Sequence, residues 1–261
     1  MRANQSDWWV LSRPNPGAAL RVFCLPYAGA SASIYRSWHT ALPAEVEVFG
    51  VQLPGRSNRY SEPPFTRVKD LVDSLVPALV PLLDRPFVFF GHSMGAIASF
   101  EAARWLRRYR ERVPDHLFVS GRRAPQIPDT SPPMHLMNDE EIIAKISELN
   151  GTPRSILNNA EMRQMILPVI RADAAICETY KYVDDAALPC PITAFCGLED
   201  REETPELSKE WRVQTTSVFT LHELKGDHFF IHSNERKLLR LLGQDLNTHF
   251  VSCLASAHSQ R

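Results

Sequence analysis

Glycine is scarce in this chain of 261 residues, at 11 against 20 prolines, so each glycine that is kept marks a tight turn or a close backbone approach. Cysteine is also sparse. Cys24, Cys177, Cys190, Cys196 and Cys253 are scattered, odd in number and free of CxxC spacing. Such a set excludes a disulfide framework and reads as reduced thiols of a cytoplasmic protein. No stretch approaches the roughly 20 apolar residues of a membrane helix, and an N-terminus carrying Arg2, Asp7, Arg13 and Pro14 offers no apolar run for a signal peptide. Charge of one sign is lacking too, since 29 basic and 30 acidic residues leave a net charge of -1. That balance gives no global attraction to nucleic acid or to an anionic membrane. Neither a P-loop nor a GxGxxG run follows a candidate strand, so no nucleotide cofactor is expected. Internal repeats and low-complexity tracts are missing as well.

What is present suits one α/β domain over residues 1–261, with 44% hydrophobic and 23% charged residues. Candidate strands are Arg21–Leu25, Val46–Leu53, Phe87–Phe90, His116–Ser120, Ile192–Cys196 and Ser217–Leu221. Most are continuously apolar, the pattern of strands buried on both faces of a parallel sheet. Helical patterns at Val68–Leu83, Ala96–Arg110 and Glu235–His249 alternate with them, which predicts a mostly parallel sheet covered by helices. From Gly121 to Pro191 the alternation stops for roughly 70 residues, far more than a strand connection needs. After the proline-rich stretch Ala124–Pro133, amphipathic helices are expected around Asp139–Leu149, Asn159–Val169 and Arg171–Tyr182. We expect a helical lid insert over about residues 128–182. Its apolar stripe (Ile142, Ile143, Ile146, Leu149, Met162, Met165, Ile166 and Ile170) must bury against the core or line a cavity. The mobile version of the lid spans Leu136–Tyr182 and admits substrate by opening.

The strongest chemical signal is Gly91-His92-Ser93-Met94-Gly95, between the strand FVFF and a helix that opens with small residues. G-x-S-x-G in a strand–turn–helix context is a nucleophile elbow, in which flanking glycines permit the sharp turn. A serine nucleophile requires a base, and the base requires an orienting acid. Gly197-Leu198-Glu199-Asp200 follows one later strand and Gly226-Asp227-His228-Phe229-Phe230 follows the next. Ser93, Asp200 and His228 thus stand in the order Ser, acid, His, with Glu199 as the rival acid and Asp227 too near His228 to orient it. The oxyanion donors should be the N–H of Met94 and one from Pro26-Tyr27-Ala28-Gly29-Ala30, with Ala28 favoured. His228 and His232 stand four apart like a zinc pair, but no third ligand is evident and no metal is expected. The basic run Arg104, Arg107, Arg108, Arg110 and Arg112 reads as a solvated helix end.

Taken together, PYAGA at 26–30, LPGRSNRYSEPP at 53–64, GHSMGA at 91–96, SGRRAP at 120–125, GTP at 151–153, LPVIRADAAICETYKY at 167–182, GLED at 197–200 and GDHFF at 226–230 are collinear. In these motifs the chain resembles the type II thioesterases, the discrete editing enzymes of polyketide and nonribosomal peptide pathways. A related animal thioesterase, which releases medium-chain acids from fatty acid synthase, shares the same plan. PYAGA departs from the two glycines common in the family, which bears on how closely Ala30 lets the loop approach. The resemblance implies an α/β-hydrolase fold and a triad on Ser93, Asp200 and His228. It also implies hydrolysis of acyl groups held as thioesters on the phosphopantetheine arm of an acyl or peptidyl carrier protein, under a helical lid. A carboxylesterase or acyltransferase with the same triad, and a non-catalytic binding module on this fold, remain as alternative readings.

Overall fold

The computed structural model describes residues 5–258 apart from 12, 150, 152 and 153, and of these the side chains of residues 7–248 except 154 and 156. Arg2, part of the GTP motif and the Cys253 side chain therefore lie outside the described residues. The strands are β1 (Trp9–Leu11), β2 (Leu20–Leu25), β3 (Val46–Val51), β4 (Phe87–His92), β5 (His116–Ser120), β6 (Ile192–Gly197) and β7 (Phe219–Leu224). Among the described residues they form one sheet in the order β1-β3-β2-β4-β5-β6-β7. Every pairing is parallel except that of β1 with β3, which is antiparallel. The helices are α1 (Val68–Leu79), α2 (Met94–Arg110), α3 (Asp139–Glu148), α4 (Arg154–Leu157), α5 (Ala160–Glu178), α6 (Pro205–Lys209), α7 (Phe230–Ser233) and α8 (Glu235–His258). This is the α/β-hydrolase architecture, a mostly parallel sheet covered by helices.

Continuous apolarity of the central strands has its reason in their burial. β2, β3, β4, β5 and β6 are buried at every position, because α1 and α2 cover one face while α8 and the segment after β2 cover the other. Phe87 and Phe89 point to one of these cores and Val88 and Phe90 to the other. β7 lies at the edge, mostly half-buried, and begins two residues later than its apolar run suggests. Ser217 is drawn into a turn by its N–H bond to Thr215 Oγ1, which postpones the pairing. The short edge strand β1 carries no distinct periodicity and went unrecognised in the sequence.

The arginines near the end of α2 do more than face solvent. Arg104, Arg107 and Arg108 converge on Asp185, and Arg104 and Arg107 also donate to the carbonyls of Val183, Ala186 and Ala187. They fasten the chain returning from α5 toward β6.

Between β5 and β6 the helices α3, α4 and α5 form a layer with its own small core of Ile142, Ile146, Leu157, Leu167 and Ile170. One correction concerns α5, which runs unbroken through Pro168 where the sequence pattern suggested two helices. Proline removes one backbone bond, but Leu167, Val169 and Ile170 around it are buried and hold the helix together. A second correction concerns the stripe. Met162 and Met165 are exposed, at 46% and 65%, so they face away from the core rather than into it.

Because Ile142 is fully buried in this satellite core, Ile142→Ala should cost about 2–5 kcal/mol of local stability. Hydrogen exchange of the α3 and α5 amides should accelerate, while the β4 amides keep wild-type protection. Equal acceleration in β4 would show that the layer and the sheet unfold as one unit.

Candidate active site

The sheet reverses its winding between β2 and β4, since β3 lies to one side of β2 and the later strands to the other. Ligand crevices of open parallel sheets form at the carboxyl ends of the strands at such a point. Ser93 follows β4 there, and residues 26–30 follow β2 alongside.

Close packing dictates the glycines of the elbow. A Cβ on Gly95 would lie 2.1 Å from the Leu25 carbonyl oxygen, and one on Gly91 would lie 2.1 Å from the Gly95 carbonyl oxygen. Only hydrogen fits at either place. Ser93 itself takes φ 53° and ψ -114°, a strained conformation for a non-glycine residue. Its N–H donates to the Ser120 carbonyl at 2.7 Å, which holds the turn against β5. Helix α2 begins immediately after it, so Met94 occupies a first-turn position whose N–H has no partner within the helix.

His228 and Asp200 come from the loops after β7 and β6. His228 Nδ1 and Asp200 Oδ2 are 2.7 Å apart, while Asp200 Oδ1 accepts the N–H groups of Glu202 and Glu203, each at 3.0 Å. Burial pushes the Asp200 carboxyl up, but the bond and charge of His228 and the two amides outweigh it and hold the carboxyl below its usual value. An ionised Asp200 only accepts, so His228 Nδ1 is the donor of this bond and Nε2 is the ring nitrogen that Asp200 leaves unengaged. Glu199 is exposed and Asp200 buried, so the structure brings the latter and not the rival to the imidazole. Asp227 accepts from the Phe229 N–H instead. The Glu203 side chain, held by Arg123 N–H at 2.7 Å and by Arg122 Nη1 and Arg123 Nε at 3.0 Å, ties the Asp200 loop to the SGRRAP segment.

Ser93, Ala28 and His228 line one cavity of about 290 Å³. No hydrogen bond joins Ser93 to His228 among the described residues, a contact that commonly tightens only when substrate binds. Ile146, Leu149, Ile166 and Ile170 of the helical layer form its apolar roof, and an ion pair between Lys145 and Glu202 bridges the layer to the Asp200 loop. Cys177 of α5 is also in the wall, its thiol pushed up to about 12 by burial against the opposing pull of Arg122. In the loop after β2, the Ala30 N–H bonds the Tyr27 carbonyl and the Gly29 N–H bonds Asp173 Oδ2. The Ala28 N–H makes no hydrogen bond among the described residues, which suits the oxyanion role expected of it. His232 sits against the Tyr27 hydroxyl at 2.9 Å, while His228 bonds Asp200.

Sequence reasoning gave no role to His92. Its ring is fully buried, with Nδ1 2.9 Å from Ser120 Oγ and Nε2 3.0 Å from the His228 carbonyl. Burial, then the nearby His228, pushes it well below 6.5, so it is neutral. A carbonyl only accepts, so Nε2 carries the proton and Nδ1 accepts from the Ser120 hydroxyl. His92 thereby joins the elbow to the His228 loop. Arg56 and Asp173 were also missed, although an acid among the apolar residues of α5 signals a buried partner.

With this geometry in place, the comparisons with known proteins are direct. Residues 20–246 match the family model described as a thioesterase domain. The chain is 43% identical to the gramicidin S biosynthesis protein GrsT of Aneurinibacillus migulanus, over 92% of this chain and 94% of that one. It is similar to the RedJ thioesterase from the prodiginine biosynthetic pathway of Streptomyces coelicolor, at 39% identity and a TM-score of 0.83, covering 88% of this chain and 86% of RedJ. BorB, the type II thioesterase from the borrelidin biosynthetic cluster, gives 36% identity and a TM-score of 0.84, covering 92% of this chain and 97% of BorB.

Asp200→Asn should lower turnover of an acyl thioester by orders of magnitude and Glu199→Gln by less than threefold, about 10⁴-fold being the loss for a comparable acid-to-amide change. Reversal of that ranking in steady-state kinetics would make Glu199 the acid. The pH dependence of stability provides a separate check. A carboxyl held below its ordinary 3.8 contributes stability that is full above that value and lost as pH falls through the folded value. The stability gap between wild type and Asp200→Asn should therefore be widest near neutrality and close below about pH 4. A gap that stays constant in urea melts across that range would refute the assignment.

Proposed function

The chain belongs to the thioesterase family and is a thioester hydrolase, and on that premise we propose that it releases acyl groups from the phosphopantetheine arm of a carrier protein by serine catalysis. The observation that carries this reading is the 2.7 Å Asp200–His228 bond on the wall of the cavity that also holds Ser93. Ser93 Oγ attacks the thioester carbonyl as His228 Nε2 takes its proton, and the Ala28 and Met94 N–H groups stabilise the oxyanion. Collapse of the tetrahedral intermediate expels the pantetheine thiolate, which His228 protonates. Water, activated by the same imidazole, then hydrolyses the acyl-serine and regenerates the hydroxyl. Asp200 keeps the imidazole in the tautomer that both half-reactions require and stabilises its charged form.

The substrate and its setting follow from the cavity. At about 290 Å³ it lies at the small end of ligand pockets, which span roughly 300–1,000 Å³, and its roof is apolar. A short acyl group suits that volume better than a completed polyketide or peptide. This is the selectivity an editing enzyme needs to clear stalled starter or extender units. GrsT and BorB are described as members of biosynthetic pathways or clusters, and we read this chain as serving a polyketide or nonribosomal peptide assembly line in the cytoplasm. The buried free thiols of Cys24, Cys190 and Cys196 agree with a reducing compartment. No described helix is long and apolar enough to cross a membrane.

Ser93→Ala should abolish hydrolysis of acyl-carrier thioesters while circular dichroism and melting temperature stay near wild type, because loss of a single hydroxyl leaves the packing intact. Activity within tenfold of wild type in the folded variant would overturn the serine mechanism. A fluorophosphonate should label the wild type at Ser93, and absence of labelling would favour a binding module. Across a series of acyl-carrier thioesters, kcat/KM should fall as the chain lengthens beyond the cavity; a rising series would refute the editing role.

A further inference from the structure

We propose that Asp173 and Arg56 are positioning residues for the oxyanion hole, selecting the turn conformation of residues 27–30 and making it depend on the seating of α5. The proposal rests on the roles given above to Ser93 and Ala28.

Asp173 is 1% exposed on the inner face of α5. Its carboxylate accepts three bonds: Arg56 Nη1 at 2.6 Å and the Gly29 N–H at 2.7 Å on Oδ2, and Arg56 Nη2 at 2.8 Å on Oδ1. Arg56, 8% exposed, also donates Nη1 to the Ala30 carbonyl and Nε to the Pro54 carbonyl, both at 3.1 Å. Burying this pair costs desolvation energy, and an apolar pair could fill the same space at less cost. What an apolar pair could not do is hold polar backbone in one orientation.

The backbone in question is a turn. Tyr27 accepts from the Ala30 N–H at 3.1 Å, and Gly29, at its third position, has φ +80°. These are the marks of a type II turn. Type I differs from type II by a flip of the central peptide, which here carries the Gly29 N–H. In type II that N–H reaches Asp173; after the flip the Ala28 carbonyl would face the carboxylate instead, oxygen against oxygen. Asp173 therefore favours one turn type electrostatically, and Arg56 holds the far end through the Ala30 carbonyl. The Tyr27–Ala28 peptide has its carbonyl engaged by Ala30, so its N–H, on the opposite edge, is the one left over. This N–H is the donor assigned to the oxyanion.

The clamp reaches the turn from the helical layer. The face of α5 that carries Asp173 also carries Ile170, Ala174 and Cys177 into the cavity wall. The oxyanion donor and the α5 share of the acyl roof are thus fixed by one helix, and its displacement would relax both together.

The test compares Asp173→Asn with Arg171→Gln. Arg171 ties α5 to Asp139 and to the carbonyls of His135 and Met137, and contributes nothing to the turn. We expect Asp173→Asn to lower kcat by about ten- to a hundredfold with KM within twofold, somewhat less than the 10²–10³ for deleting an oxyanion donor. The rate of Ser93 labelling by a fluorophosphonate, whose phosphoryl oxygen develops charge at the same position, should fall in parallel. Arg171→Gln should leave both rates within twofold whatever it does to melting temperature. Wild-type rates in folded Asp173→Asn would overturn the proposal, and so would equal losses in the two variants, which would mean general loosening. If Asp173→Asn fails to fold, Arg56→Lys keeps the charge but loses the fork to Ala30, and the same split between kcat and KM is expected, at about tenfold in kcat. Failure of wild-type Ser93 to label at all would instead overturn the underlying serine reading.

Discussion

The close approach of the α2 N-terminus to the ends of β2 and β4 sets the terms for the whole site. Side chains are excluded at Gly91 and Gly95 by carbonyl oxygens about one bond-length-and-a-half from where a Cβ would stand, so helix and strands meet backbone to backbone. The strand cannot enter the helix gradually, and Ser93 absorbs the reversal in a conformation of positive φ. That strain puts its side chain outside both the sheet and the helix. The same contact brings the first turn of α2 against the chain that leaves β2 at Leu25 and Pro26.

A chain of polar contacts then links the neighbouring loops to Ser93. Asp200 holds the His228 ring, the His228 carbonyl holds His92, and His92 accepts from Ser120, whose own carbonyl receives the Ser93 N–H. The loops that carry Asp200, His228 and Ser93 are therefore joined by backbone as well as by side chains. The neutrality of His92 matters here, because a charged ring would have two donors and could not accept from Ser120. Networks of this kind rigidify when every member is satisfied.

The parts of this arrangement that were legible in the sequence share a physical signature. Strands buried on both faces left apolar runs, the elbow left two glycines in a chain with few, and Asp200 and His228 each followed a strand in the required order. Contacts between remote segments left weaker traces. Nothing near His92 announces that its partner is a backbone carbonyl at residue 228. Pro168 misled because the local rule against proline in helices was overridden by burial of its neighbours. The methionines of α5 misled in the opposite direction, since amphipathic spacing alone does not say which stripe faces the core. Asp173 was readable only as a question, an acid among buried neighbours, with its answer 117 residues away at Arg56.

Cys177 places a thiol in the wall of the cavity that Ser93 also lines. Thioesters exchange readily with thiolates, so an ionised cysteine there would capture the acyl group and hold it as a new thioester on the wall. Burial removes that competitor by chemistry rather than by distance. With its thiol pushed up to about 12, Cys177 stays protonated at neutral pH. A sulfur atom can then serve as soft apolar lining in an enzyme whose substrates are themselves sulfur esters, without becoming a dead-end acceptor for them.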